Sequence, residues 1–344
     1  MPVPYVEERL MNQAGTTTVD EAVSTRGRVA RARFASFAQR HGALIALILV
    51  CIFAFARYET FLTEENLVNV LRQNSMVGLI ALGMTFVILT GGIDLSVGSL
   101  FAVAGVVAAY LAGQGLLVAL LGAVAATTLL GLINGVVIAK GRVQPFIVTL
   151  AMMIAARGLA LAVTGEKSVS IDRSAVSEFG WLARGYVGPL PVPVVILFVA
   201  FIVGWLVLNH TRFGRHVYSI GDNEEAARLM GLNVGRVTIY VYALSGALAG
   251  LAGVILASRL GAGQPTSGRG WELDAIAAVV VGGTLLTGGQ GSVISTLVGV
   301  LLLGIIFNIF NLEGQISPWW QEVLRGIILL AVVIVQNRLS QKRK

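Results

Sequence analysis

Residues 116–139 read LLVALLGAVAATTLLGLINGVVIA, a run with no charged side chain. About 20 predominantly apolar residues in an α-helix cross the ~30 Å hydrocarbon core of a bilayer. A helix also satisfies its own backbone hydrogen bonds where no water can. This run therefore predicts a membrane-spanning helix, and the fold depends on how often the pattern recurs. Working outward, apolar runs lie at 43–56, 76–90 and 97–112 on one side. On the other they lie at 146–164, 191–208, 237–257, 273–286, 293–312 and 318–336. The expected fold is all-α: a polytopic membrane helix bundle of about ten transmembrane helices, or eight if the two shortest runs do not cross. Residues 64–72 are polar enough to predict a separate amphipathic helix on the membrane surface.

Composition agrees. Of 344 residues, 56% are hydrophobic and 12% charged, whereas a soluble domain has about 45–50% and about 25%. So few charges cannot cover a soluble surface, so most of the surface is expected to face lipid. The net charge of +7 does not point to nucleic acid, because the basic residues sit in tails and loops. In the ten-span arrangement sixteen Lys and Arg fall on the side of the two tails and seven on the other, with Arg157 and Arg325 inside spans. Basic loops stay cytoplasmic, which predicts cytoplasmic N- and C-termini. The expected domains are a mostly disordered basic tail at 1–42, a transmembrane domain at 43–336 and a basic tail at 337–344. The polar first forty residues do not resemble a cleaved leader. Cys51, the single cysteine, lies in an apolar run and predicts an inert thiol.

Gly131-x-x-x-Gly135 and Gly246-x-x-x-Gly250 predict close helix packing. A short internal echo links Ile88-Leu89-Thr90-Gly91-Gly92 with Leu285-Leu286-Thr287-Gly288-Gly289, as in transporters built from repeats.

Catalytic chemistry finds no constellation here. The chain has no G-x-x-x-x-G-K-[ST] phosphate loop, and His41, His210 and His216 have no metal-ligand companions in sequence. No cofactor is expected on this chain. Asp94 and Ser96 follow Gly91 and Gly92 at the start of a span, where Asp predicts a helix cap; its alternative role is a cation or proton site. Asp274 is likewise expected to cap or sit at an interface. Arg157 could snorkel, pair with another span or line a solute path, and Asn134 and Asn308 are further candidates for that path. An ion-driven carrier would show several carboxylates deep in spans, but only Asp94, Asp274 and Glu322 come near the membrane, all expected at its edges. The driving energy is expected to come from elsewhere.

The charged island Gly221–Gly231, GDNEEAARLMG, offers a source. It holds four charges in eleven residues. Asp222 or Asn223 can cap a helix with Glu224 and Glu225 in its first turn, which suits the helix dipole. Ala226, Ala227, Leu229 and Met230 give it a small apolar face, beside Arg228, and Gly231 can end it in the left-handed region. Such a two-to-three-turn helix could seat in a groove of another protein or remain a solvated loop.

Glu225-Ala226-Ala227-x-x-x-Gly231 resembles the EAA-x-x-x-G signature of permease subunits of ATP-binding-cassette importers. Gly91–Gly98 (GGIDLSVG), Val143–Leu150 (VQPFIVTL) and Leu273–Gly283 (LDAIAAVVVGG) are similar to segments of the ribose/xylose/arabinose-type permeases. The similarity runs from about 43 to 336. It implies a permease of a monosaccharide importer in the bacterial cytoplasmic membrane, paired with a second permease. It also implies a cytoplasmic ATPase subunit holding ATP-Mg and docking on 222–231, within the segment 209–236. A periplasmic or surface-anchored sugar-binding protein completes the set. Trp271, Trp319 and Trp320 could stack on a sugar ring, but the membrane-interface belt is the favoured reading.

Overall fold

The computed structural model describes residues 42–314 and 317–341. The N-terminal tail, apart from Gly42, and the last three residues of the C-terminal tail lie outside the described residues. The chain is helical in α1 (Gly42–Arg57), α2 (Glu64–Leu89), α3 (Val97–Leu111), α4 (Leu116–Gly141) and α5 (Pro145–Thr164). It continues through α6 (Arg173–Arg184), α7 (Val192–His210), α8 (Arg212–Asp222) and α9 (Glu224–Leu229). The last elements are α10 (Val234–Leu260), α11 (Trp271–Val281), α12 (Val293–Glu313) and α13 (Pro318–Gln341). Two small antiparallel strand pairs are the sheet structure among the described residues: β1 (Val169–Ser170) with β4 (Ala262–Gly263), and β2 (Tyr186–Val187) with β3 (Leu190–Pro191).

The helix ends follow local chemistry. Thr63 caps α2, accepting from Asn66 N, with Glu64 and Glu65 in the first turn. Asn233 caps α10 and Ser292 caps α12 in the same way. Pro145 opens α5, where its missing N–H costs nothing. Helices α5, α10 and α12 are followed by Gly165, Gly261 and Gly314, each in the left-handed region.

Helix α10 is the central post, packed on α4, α3 and α2. The two glycine motifs interlock as their spacing predicts. A Cβ at Gly131 would strike the Tyr242 carbonyl and one at Gly135 the Ile239 backbone; one at Gly246 would strike the Thr127 carbonyl. The backbones of α4 and α10 therefore approach closely only because these positions carry hydrogen. The opposite face of α4, including Leu117, Leu121 and Leu129, is exposed and apolar, as a lipid-facing surface must be.

Among the described residues, seven helices are long and apolar enough to cross a membrane: α2, α3 extended to Gln114, α4, α5, α7, α10 and α12. The expected first and eighth spans are the short ones. Helix α1 is a shorter apolar helix, and α11 has 11 residues, about 16 Å at 1.5 Å per residue. The expected tenth span falls in α13, whose side chains are described in part.

One expectation is corrected. Residues 64–72 form no separate surface helix; they are the first turns of the 26-residue α2. Nothing between Glu64 and Leu89 breaks a helix, and Asn69, Gln73 and Asn74 of its first half line a cavity.

Candidate functional site

The loop helices come first. Thr211 caps α8 by accepting from Gly214 N (3.2 Å), and Asn223, not Asp222, caps α9 by accepting from Ala226 N (2.9 Å). Asp222 closes α8 instead. Glu224 and Glu225 occupy the first turn of α9, and Arg228 reaches back to Glu224 (2.6 Å). Gly231 ends the turn at φ 82°, donating to the Arg228 carbonyl (3.0 Å). The expected apolar face divides. Ala227 is buried and Ala226 half-buried against the protein, while Leu229 (85%) and Met230 (69%) are exposed.

Directly beneath, three backbone segments meet. Gly289 N donates to the Leu89 carbonyl (3.0 Å), and a Cβ at Gly221 would collide with both. Gly288 presses on Gly91 and Gly221 in the same way. Gly91, Gly288 and Gly289 take φ values of 79°, 86° and 73°, a region costly for other L-residues. The two echoed Thr-Gly-Gly turns thus touch each other under the loop helices. The Tyr218 hydroxyl of α8 donates to the Gly291 carbonyl (2.9 Å), and burial pushes the pKa of this phenol up.

Asp94 is buried within the protein and does not hold the cap position. Ser96 stands at the cap of α3, and its side chain makes no cap bond. The Asp94 carboxylate, fully buried, accepts from Ser96 N (2.9 Å) and Ser96 Oγ (2.6 Å) through Oδ1. Its Oδ2 accepts from Ser245 Oγ of α10 (2.8 Å). Asn134 Nδ2 donates to Ser96 Oγ (3.0 Å), so one cluster ties α3, α4 and α10 together. No Lys or Arg pairs with Asp94 among the described residues. Gly92 leaves room for the Tyr242 hydroxyl beside the cluster. Asn134 is fully enclosed here.

Arg157, for which three roles stand open on sequence, spends its guanidinium on backbone. Nη1 donates to the Pro265 and Ser267 carbonyls (both 2.7 Å) and Nη2 to the Gly98 carbonyl (3.1 Å). It fastens the 261–270 loop to α3. A cavity of 330 Å³ beside it is lined by Ser99, Met153, Ile154, Arg269 and Glu272.

A further space is a cavity of 210 Å³ between α2, α11, α12 and α13. Asn308 lies on its wall, as does Asp274. Asp274 is not the cap of α11, because that position is Gly270 and Asp274 is buried in the first turn. Asn69, Gln73 and Asn74 of α2, Asn311 of α12 and Gln321 of α13 complete a carboxamide lining, with Trp271 and Phe307 as its rings. Two amide rungs brace it. Asn66 and Asn308 exchange hydrogen bonds (2.7 and 3.2 Å), and Gln321 Nε2 donates to Asn311 Oδ1 (3.0 Å). The α2 amides are absent from the sequence-based candidates, because residues 57–75 read as lying outside the membrane. Their signal was the spacing 66, 69, 73, one face of a helix. Trp319 and Trp320 are largely exposed and line no part of this cavity.

Among the described residues, no three His, Cys, Asp or Glu side chains converge as a metal site. A bundle of membrane-length helices with a polar cavity at one end and charged loop helices at the other defines a membrane transport component. The chain matches, over residues 66–333, the family described as branched-chain amino acid transport system / permease component, and it belongs to that family. It is a transport subunit, not an enzyme. It is 45% identical over 298 residues to the ribose import permease protein RbsC of Escherichia coli (strain K12), covering 86% of this chain and 92% of that one. It is 43% identical to the RbsC protein of Bacillus subtilis (strain 168), covering 90% and 96%. With the L-arabinose transport system permease protein AraH of E. coli (strain K12) it shares 39% identity, covering 94% and 98%. No solved structure matches significantly. The resemblance carried by the four sequence segments therefore holds.

Proposed function

We propose that the chain is the membrane-spanning permease of an ATP-driven importer of a monosaccharide of the ribose or arabinose kind. The observation that carries this is similarity along nearly the whole of both chains to permeases named for those sugars. In this reading the protein sits in a bacterial cytoplasmic membrane beside a second permease, with the sugar passing between helices. Both termini and segment 209–236 face the cytoplasm, in keeping with the excess of Lys and Arg on that side. Ten crossings follow if α1, α11 with its trailing glycine turn, and α13 also traverse.

Residues Asp222, Asn223, Glu224, Glu225, Ala226, Ala227, Arg228 and Gly231 then form the coupling element. Leu229 and Met230 at its tip enter a groove of the ATPase subunit, which holds ATP-Mg. Burying two exposed apolar side chains supplies part of the docking energy, at roughly 1.5–3 kcal/mol for each fully buried side chain. Motion of the ATPase reaches α2 and the α11–α12 turn through the glycine junction. Each partner shifts the inward–outward equilibrium only by its difference in affinity for the two states. A sugar-binding protein delivers the solute at the opposite face.

The test is uptake of labelled ribose and arabinose into proteoliposomes carrying this chain. The expected result is uptake only when ATP, an ATPase subunit and a sugar-binding protein are all supplied. Uptake driven by a sodium or proton gradient without the ATPase, or uptake of isoleucine alone, would overturn the assignment.

A further inference from the structure

The carboxamide-lined cavity and the glycine junction lie at opposite ends of α2. Gln73 stands sixteen residues before Leu89, about 24 Å along a helix rising 1.5 Å per residue. The cavity therefore belongs to the face away from the loop helices.

Its chemistry is selective. The lining contains no Lys or Arg, and Asp274 is its one carboxylate. A solute carrying its own carboxylate would lose water there without meeting a cation, a costly transfer. A zwitterionic amino acid meets the same obstacle at one of its ends. Carboxamides, in contrast, each offer two N–H donors and a carbonyl acceptor, and sugar hydroxyls both give and take hydrogen bonds. The side chains of Asn69 and Gln73, exposed at the mouth of the space, make no hydrogen bond to any described residue, so both amides are available. Asn74 spends a single donor on the Val70 carbonyl (2.7 Å). Trp271 packs on Phe101 with centroids 4.5 Å apart and still borders the space. A few placed polar groups around an aromatic wall are the ordinary make-up of a small-solute site.

We propose that this cavity is a solute site of the permease itself, holding one neutral monosaccharide by carboxamide–hydroxyl hydrogen bonds and rejecting solutes that carry a carboxylate. The proposal rests on the sugar-import reading and adds where the sugar is held. Weak binding suits the role, since a solute in transit must leave as readily as it enters.

The chain has one native cysteine, which permits a direct test in the assembled importer in proteoliposomes. In a Cys51→Ala background, Gln73→Cys is labelled with a small maleimide, and Glu59→Cys outside the cavity serves as control. Excess D-ribose or L-arabinose is expected to slow labelling at Gln73→Cys at least ~4-fold, as three-quarters occupancy requires by mass action. Labelling at Glu59→Cys is expected to stay unchanged, and isoleucine to protect neither. Equal labelling with and without sugar, in an importer that still takes up sugar with ATP, overturns the site while leaving the sugar-import reading intact. Equal slowing at both positions also overturns it, because that reports a global change rather than occupancy. Protection by isoleucine with isoleucine uptake sinks both.

Discussion

The N–H of Gly289 donates to the carbonyl of Leu89 across 3.0 Å, joining two Thr-Gly-Gly turns that lie almost two hundred residues apart. Gly221 closes over this bond with no space for a side chain. Gly221→Ala must displace backbone atoms, not a flexible side chain. Overpacking of that kind costs about 1–3 kcal/mol. The expected outcome is a lower Tm together with a fall in sugar carried per ATP hydrolysed. Gly113→Ala makes the control, since a Cβ there meets no atom and its backbone is not in the left-handed region. Unchanged coupling in Gly221→Ala would disconnect the junction from transport.

Leu229 and Met230 make the second case. Both project from α9, whose Ala227 anchors it to the protein. Leu229→Glu removes no packing within the chain, so its Tm should stay within about 0.5 kcal/mol of equivalent stability. Co-purification with the ATPase subunit should fall at least tenfold, about 1.4 kcal/mol of docking energy. Glu225→Lys should leave the permease inserted but uncouple uptake. Normal assembly with Leu229→Glu would mean that the tip is a plain loop.

Asp94 yields a stability prediction. Its carboxylate receives three hydrogen bonds in a fully buried site. Asp94→Ala strands those donors, and each unsatisfied buried group costs about 1–3 kcal/mol. Asp94→Asn keeps an acceptor for Ser96, and the Ser245 hydroxyl can turn to accept from the new amide. The expected order of thermal stability is native, then Asn, then Ala. A Tm for Asp94→Ala equal to that of Asp94→Asn would show that the cluster does not depend on the acceptor.

Arg157 holds three carbonyls from two segments with one planar fork. Lysine keeps the charge but is a single point donor that cannot span them. Arg157→Lys should accelerate amide hydrogen exchange across residues 261–270 by at least tenfold, about 1.4 kcal/mol of lost local protection. Exchange unchanged in that loop would mean that the β1–β4 pairing fixes it alone.

Sequence periodicity was enough for most of the helices, because a bilayer tolerates few alternatives to a long apolar helix. The glycine spacings on α4 and α10 likewise foretold the contact they make. What escaped were features that depend on distant residues meeting. Asn66 and Asn308 are 242 positions apart, and nothing local marks either as a partner. Asp94 looked like a cap because the residues after it start a helix; Ser245, which takes the second carboxylate oxygen, comes from another span. Polar residues at the head of α2 read as a membrane-surface helix, since their helical face has meaning only once α12 is opposite. Most of the local structure of residues 221–231 was legible, because caps and a left-handed glycine are local chemistry.

Gly304 and Asn74 supply a test of that cavity wall by stability alone. A Cβ at Gly304 would fall on the Asn74 amide, which is buried and bonded to Val70 O at 2.7 Å. Gly304→Ala must therefore push the amide off its bond or part α2 from α12, at a cost of about 1–3 kcal/mol. Asn74→Ala alone loses the bond and leaves a hole. The two together should be milder than their sum, because the new methyl enters the space the amide vacates. A double-mutant cycle by thermal or denaturant unfolding in detergent should give a favourable interaction energy of about 1 kcal/mol or more, as expected for residues in contact. Simple additivity would mean that the helices move apart at Gly304 without involving Asn74, and that the amide does not set the width of the cavity.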